Sequence, residues 1–217
     1  GLSTALARAA AARAQAARAP ALARALSTEA TLEGAPEPPS NGNSPLNPYT
    51  GDPLGMMWPY MSAASGLAAL EAADRTFQSH WRPLPLPQRA DRLLAGAAYL
   101  KERREEVSKD ISASTGKPLK QALLEVDMGC RKIKTLCELA PKALAAEVRE
   151  GPGGVRYEVH RAPKGVVDVT CPWNYPLLTA LHGAVPALLA GNVVALKHQS
   201  VPLAGEWLQR ALGEVRP

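Results

Sequence analysis

The chain has 217 residues, 46% of them hydrophobic and 21% charged, with a formal net charge of +5. That balance excludes wholesale disorder, and no apolar run approaches the roughly 18–20 residues needed to span a bilayer. Three Cys exclude a disulfide scaffold, and their odd number points to a reducing compartment.

The positive charge is concentrated at one end. Residues 1–28 hold Arg8, Arg13, Arg18 and Arg24 and no acidic side chain, and without those four the chain has 21 basic against 20 acidic residues. A basic excess confined to a leader does not make a nucleic-acid-binding face. The Ala- and Arg-rich, acid-free composition is that of an organelle transit peptide. Ser is scarce there, only Ser3 and Ser27, which favours a mitochondrial address, with a plastid as the alternative. An Ala-rich extension with no address is the other reading. Residues 29–46, including Pro36-Glu37-Pro38-Pro39-Ser40-Asn41-Gly42-Asn43, read as a linker. Asn47-Pro48-Tyr49-Thr50-Gly51 reads as a turn.

Three helices are predicted next. The first spans about 62–79, with Leu67, Leu70, Ala73 and Phe77 on one face. The second begins near Pro87, a favourable first-turn residue, and ends at Gly116. Its stripe is Leu93, Ala97, Leu100, Val107 and Ile111. Pro118 opens the third, whose Leu119, Leu123, Val126, Cys130, Ile133 and Cys137 recur at steps of four and three. Pro141 is expected to limit it.

Gly151-Pro152-Gly153-Gly154 breaks the helical pattern, and Val155 to Arg161 then alternates as a half-exposed strand does. Val166 to Cys171 reads as a buried strand, 176–190 as an apolar helix, Val193 to Leu196 as a second buried strand and 203–213 as a helix. This order predicts a parallel sheet with a crossover helix.

Ligands of open parallel sheets sit beyond the carboxyl ends of the strands. Two such ends occur here: Cys171-Pro172-Trp173-Asn174-Tyr175-Pro176 and Lys197-His198-Gln199-Ser200. The two prolines stiffen the first loop. Its Asn174 amide suits a cap for the helix that follows, the commoner use of Asn, or an oxyanion donor. Trp173 suits packing or ligand contact. Lys197 suits phosphate or ribose, or plain solvation.

Pro172-Trp173-Asn174-Tyr175-Pro176, the run Pro186-Ala187-Leu188-Leu189-Ala190-Gly191-Asn192 and the strand ending Leu196-Lys197 together resemble the aldehyde dehydrogenase superfamily. Its pattern is P-W-N-[FY]-P, then P-A-L-x-A-G-N, then a strand ending L-K. Asn47-Pro48-Tyr49-Thr50-Gly51, Phe77 with Trp81, Thr115-Gly116-Lys117-Pro118 and Arg161-x-Pro163-x-Gly165 agree. The resemblance covers about residues 47–212. Lys197-His198 and Pro202-Leu203-Ala204-Gly205-Glu206 are similar to a succinate-semialdehyde-dehydrogenase-like branch.

The resemblance implies an α/β fold: an incomplete Rossmann-like parallel sheet preceded by an N-terminal helical region. It implies 47–152 as the helical part of a cofactor domain, 153–163 as a strand of an oligomerisation hairpin, and 164–217 as the first strand–helix–strand–helix of the cofactor-binding domain. It implies a thiolate that attacks an aliphatic aldehyde or semialdehyde, hydride transfer to NAD or NADP, and hydrolysis to the acid. By position Asn174 matches the oxyanion-hole Asn. Lys197 matches the Lys on the adenine ribose. Thr170, Pro172 and Trp173 match the loop lining the cofactor and substrate tunnel, and Ser200 falls in the cofactor loop. A homo-oligomer is implied for the full-length form, and no metal site.

Two departures from the pattern bear on function. The family's Glu on the ribose hydroxyls is missing from the stretch after Lys197, which is one residue short. Gln199 or Ser200 there leaves NADP open beside NAD. The nucleophile motif G-Q-x-C and the general-base motif E-L-G-G do not occur in these 217 residues. Cys130 and Cys137 read as buried structural thiols on a helix stripe, and Cys171 as the end of a buried strand. The chain alone is therefore expected to be inactive, and a non-catalytic assembly or regulatory subunit is the alternative. Truncation would also leave the edge of the hairpin strand exposed.

Overall fold

The structure, a computed structural model, describes residues 45–55, 61–198 and 202–213. The expected transit peptide at 1–28, nearly all of the linker, Gln199 and Ser200 lie outside the described residues.

Helix α1 spans Ala63–Thr76, and the Ser62 hydroxyl caps it by accepting from the Ser65 N–H at 3.1 Å. Its expected face holds. Leu67, Leu70 and Ala73 are half-buried and Phe77 is wholly buried. The helix then widens into a π-helical turn, Phe77–Trp81, closed by the Arg82 N–H on the Phe77 carbonyl. From this turn the Trp81 indole donates to the Leu188 carbonyl at 3.1 Å.

The single helix expected over 87–115 is two: α2, Leu86–Glu102, and α3, Arg104–Thr115. Arg103 leaves helical geometry at φ −99°, ψ 23°, with its guanidinium stacked 4.0 Å from the Tyr99 ring. Arg104, the first residue of α3, makes a two-pronged ion pair with Asp127, both bonds 2.7 Å. Leu93, Ala97, Leu100, Val107 and Ile111 are all buried. Their stripe runs in phase through the break, so periodicity alone does not show it.

Gly116 ends α3 in the left-handed region, φ 73°, its N–H on the Ser112 carbonyl. A side chain there would be strained and would also meet the Pro48 ring at 2.9 Å. The 47–51 turn thus docks on the turn after α3.

Helix α4, Leu119–Ala143, runs two residues past Pro141, where helix termination was expected. Its buried face is Ala122, Glu125, Val126, Gly129, Ile133, Cys137 and Ala140. Leu119 of the expected stripe is exposed, and Leu123 and Cys130 are only half-buried. Gly129 lets α5 (Pro176–Leu189) cross close, since a Cβ there would meet Leu181 at 2.9 Å. Helix α4 packs on α2, α3 and α5. The last helix, α6 (Pro202–Gly213), is tied to α3 by the Trp207 indole donating to Asp110 at 2.8 Å.

The expected strand at 155–161 forms as β2, Arg156–Val159. Its antiparallel partner is β1, Glu147–Glu150, a strand not anticipated, and the Gly-rich turn joins the two. Among the described residues this hairpin is a separate two-stranded sheet.

The second sheet is parallel: β3, Val166–Cys171, beside β4, Val193–His198. Its α/β order is the one expected. Neither strand is buried as anticipated, because α5 packs against the pair while Asp168, Thr170 and Lys197 remain exposed. Asn192 joins the end of α5 to this sheet. Its Oδ1 accepts from Lys164 N (2.6 Å) and Gly165 N (3.1 Å), and its Nδ2 donates to the Ala187 carbonyl at 3.1 Å.

In the hairpin, Arg149 and then Arg161 hold the Glu147 carboxyl down to about 2 from its ordinary 4.5. A depressed carboxyl contributes its full stabilisation above its unfolded value and loses it as pH falls through its folded value. Glu147 therefore supports the hairpin above about pH 4.5, and that support fades between there and about pH 2. Carbon-detected NMR should place its midpoint near pH 2. A midpoint in the ordinary carboxylate range, about 4, would contradict the ion-pair geometry.

Candidate active site

Strands β3 and β4 end side by side, with Thr170 in register with Lys197 and Cys171 with His198. The Thr170 hydroxyl donates to Asp168 Oδ2 at 3.2 Å, and the Lys197 side chain is exposed. The chain leaves β3 through Pro172, Trp173, Asn174 and Tyr175, all exposed, and enters α5 at Pro176.

Asn174 does not cap α5. The N-cap residue is Tyr175, and the next residue, Pro176, has no N–H. The orphan donors are the N–H groups of Leu177 and Leu178, both buried. Glu125, reaching across from α4, accepts both on Oε1, at 2.9 and 3.1 Å. Its other oxygen pairs with Lys117. The Glu125 side chain is 0% exposed and that of Lys117 9%. A carboxylate at a helix N-terminus is favoured by the helix dipole, and its charge is matched by the lysine. The Lys117 ammonium also lies 3.8 Å from the Tyr175 ring centroid, within cation–π range.

The Asn174 side chain makes one hydrogen bond among the described residues, Oδ1 accepting from Tyr175 N at 3.1 Å. The amide keeps an NH₂ donor that this bond does not use. Asn174 lines an open recess of about 250 Å³ together with Thr115, Gly116, Lys117, Gln121, Trp173 and Tyr175.

The structure thus brings Trp173 and Asn174 together with the 115–117 turn and α4. It sets Thr170 and Lys197 against each other on the sheet, apart from the recess lining. Pro172 is not in that lining, and Ser200 lies outside the described residues. Sequence reasoning missed Lys117, Gln121 and Glu125 as site residues. Glu125 carried a signal: it is an acid on the stripe that holds Ala122, Val126 and Gly129. Among the described residues no three His, Cys, Asp or Glu side chains converge on a metal-sized site.

Comparison with known proteins bears on the same residues. The model of the Aldehyde dehydrogenase family matches residues 38–215. A succinate-semialdehyde dehydrogenase [NADP(+)] of Deinococcus radiodurans is 33% identical over 156 residues, covering 72% of this chain and 32% of that protein. A succinate semialdehyde dehydrogenase [NAD(P)+] of Escherichia coli K12 is 34% identical, covering 70% and 32%. Among solved structures, an NADP-dependent glyceraldehyde-3-phosphate dehydrogenase of Bacillus halodurans in complex with NADP aligns with a TM-score of 0.75. It is 31% identical and covers 81% of this chain and 38% of that one. The chain therefore spans about a third of the length of the curated relatives it matches.

The three thiols are poor nucleophiles. Burial pushes Cys130, Cys137 and Cys171 above the ordinary thiol range, reinforced chiefly by Asp127, Glu138 and Asp168 respectively. A nucleophilic Cys needs the opposite, an accessible site near positive charge. Native chain should react with a thiol reagent at least about tenfold more slowly than urea-unfolded chain at all three positions. Peptide mapping that finds any one of them labelled at the unfolded rate would contradict this.

Proposed function

The chain belongs to the aldehyde dehydrogenase family, and we propose that it forms the part of an NAD(P)-dependent aldehyde dehydrogenase that carries the oxyanion donor and the start of the cofactor sheet. The substrate class is an aliphatic aldehyde or semialdehyde, oxidised to the carboxylic acid. The observation that carries this reading is Asn174. Its amide oxygen accepts from Tyr175 N, and the residue lines the recess with an NH₂ donor to offer. That group donates to the carbonyl oxygen as negative charge develops there, a contribution larger in the transition state than in the ground state.

The nicotinamide cofactor fits the residues present. Thr170 and Lys197 are exposed neighbours at the carboxyl edge of a parallel sheet, where dinucleotides bind in such folds. An ammonium donor beside a hydroxyl suits ribose hydroxyls, and Lys197 is assigned to them. Thr170 and Lys197 would hold the cofactor, which would supply the hydride acceptor. Trp173, which lines the recess beside Asn174, is assigned to the wall of the cofactor and substrate tunnel. Between NAD and NADP, the stretch after Lys197 carries no Glu to repel a 2′-phosphate, and the printed names of the relatives above include NADP(+) and NAD(P)+.

None of the chain's three cysteines suits the nucleophile, so the reading assigns thiolate and general base to residues outside these 217 and expects the chain alone to be inactive. The exposed hairpin, with Val148, Val155, Tyr157 and Val159 between 41% and 54% exposed, is assigned to homo-oligomer contacts. The same hairpin favours a second reading, a non-catalytic assembly or regulatory subunit. The leader composition supports a mitochondrial address, with a plastid as the alternative.

In a longer chain that carries this segment together with G-Q-x-C and E-L-G-G motifs, Asn174→Ala should lower kcat by about 10²–10³, the usual cost of losing one oxyanion donor. A loss under about threefold would remove Asn174 from the role.

A further inference from the structure

We propose that Glu125 is a positioning residue: its buried carboxylate fixes the start of α5 and, through Lys117 and Tyr175, the orientation of the Asn174 amide. The inference rests on the reading of Asn174 given above for its significance, but not for its test.

Five residues, 172–176, bridge the last residue of β3 to the first buried turn of α5. Pro172 and Pro176 have no N–H and cannot be tied through one. The β3 end is held by its ladder with β4. The α5 end is held by Glu125, which takes the two N–H groups that a local cap would ordinarily take. Because that acceptor comes from another helix, neither Asn174 nor Tyr175 has to turn its side chain back to serve as the cap.

The second oxygen of the carboxylate extends the control outward. It holds Lys117, and Lys117 lies on the Tyr175 ring. Tyr175 is thus gripped at three places. Its ring meets the ammonium, its N–H meets Asn174 Oδ1, and its carbonyl accepts from both the backbone and the hydroxyl of Thr179, at 3.0 and 2.6 Å. Asn174 is one bond away, with its own oxygen on that gripped N–H. A displaced Glu125 therefore releases the Tyr175 ring as well as the helix end, and the amide loses its fixed direction. Both oxygens of the carboxylate are used, so neither Gln nor Ala reproduces the arrangement. Gln keeps one acceptor but presents an NH₂ to Lys117.

The test uses the chain itself and no activity. Nitrogen relaxation of the Asn174 side-chain NH₂ reports its order, and hydrogen exchange reports the backbone. In Glu125→Ala the Asn174 amide should fall to the order of a free surface Asn. Leu177 and Leu178 should exchange at least about tenfold faster, the size of a lost cap. Leu93 and Ile133, in the core away from the loop, should keep their wild-type chemical shifts, because the folded core is unchanged even where overall stability falls. In Glu125→Gln, which keeps the acceptor, Leu177 and Leu178 should lose less protection than in the Ala variant while the Asn174 order still drops part of the way. If the Ala variant does not fold, the Gln variant decides alone. Unchanged Asn174 order in a folded variant overturns the proposal. So does a drop that appears only together with shifted Leu93 and Ile133 resonances, which is what a general disturbance of the core would show. Failure of Asn174→Ala to slow a complete enzyme would sink the oxyanion reading and leave this result standing.

Discussion

A helix whose second and third N–H groups are buried must find an acceptor for them, and here the acceptor is a carboxylate on a different helix. Leu177 and Leu178 cannot turn to water, since both are buried. Leaving two such donors unmet costs about 1–3 kcal/mol each. Glu125 meets both, but a buried carboxylate is itself expensive and needs a cation. Lys117 supplies it. This satisfied charge ties the start of α5 to α4, beside the close crossing that Gly129 allows. The glycine that ends α3 belongs to the same arrangement, because the turn at Gly116 presents Lys117.

The division of labour has a chemical consequence. An asparagine just before a helix ordinarily spends its side chain on the cap. In this chain that duty lies with α4, and the asparagine lines a recess with its oxygen on the Tyr175 N–H and its NH₂ group not spent on the cap. Rigid donors aimed at a fixed point do more for a developing oxyanion than mobile ones, because they need no reorganisation during the reaction. The edge proposed for the cofactor is built separately, by the register of Thr170 with Lys197, so it and the recess are set by different elements.

Much of the fold was legible in the residues. The α4 stripe located a long helix, and Gly165 and Pro172 bounded β3 correctly. Glu147-Val148-Arg149-Glu150 was not legible as a strand. It holds one apolar residue, follows a helix after only three residues and pairs only with its neighbour across a Gly-rich turn. The break at Arg103 was hidden because the apolar positions keep phase across it. Pro141 misled because a proline in the last turn of a helix removes little, and α4 continues to Ala143. Burial of β3 was overestimated because one-sided cover leaves Asp168 and Thr170 open. For the site, the P-W-N-Y-P run pointed to the loop, whereas its support came from Lys117 and Glu125, distant in sequence and brought close only by the packing of α4 on α5.

The measurement that bears most directly on this account is a double-mutant cycle between Glu125 and Lys117, read by urea unfolding. Removing one partner of a buried pair costs about 3–5 kcal/mol, because it strands the other charge. Glu125→Gln and Lys117→Met should each lower stability on that scale. The double variant should be closer to the wild type than the sum of the two losses, by at least about 1 kcal/mol. Two losses that simply add would mean that the carboxylate and the ammonium act independently, and the loop would have to be held by something else.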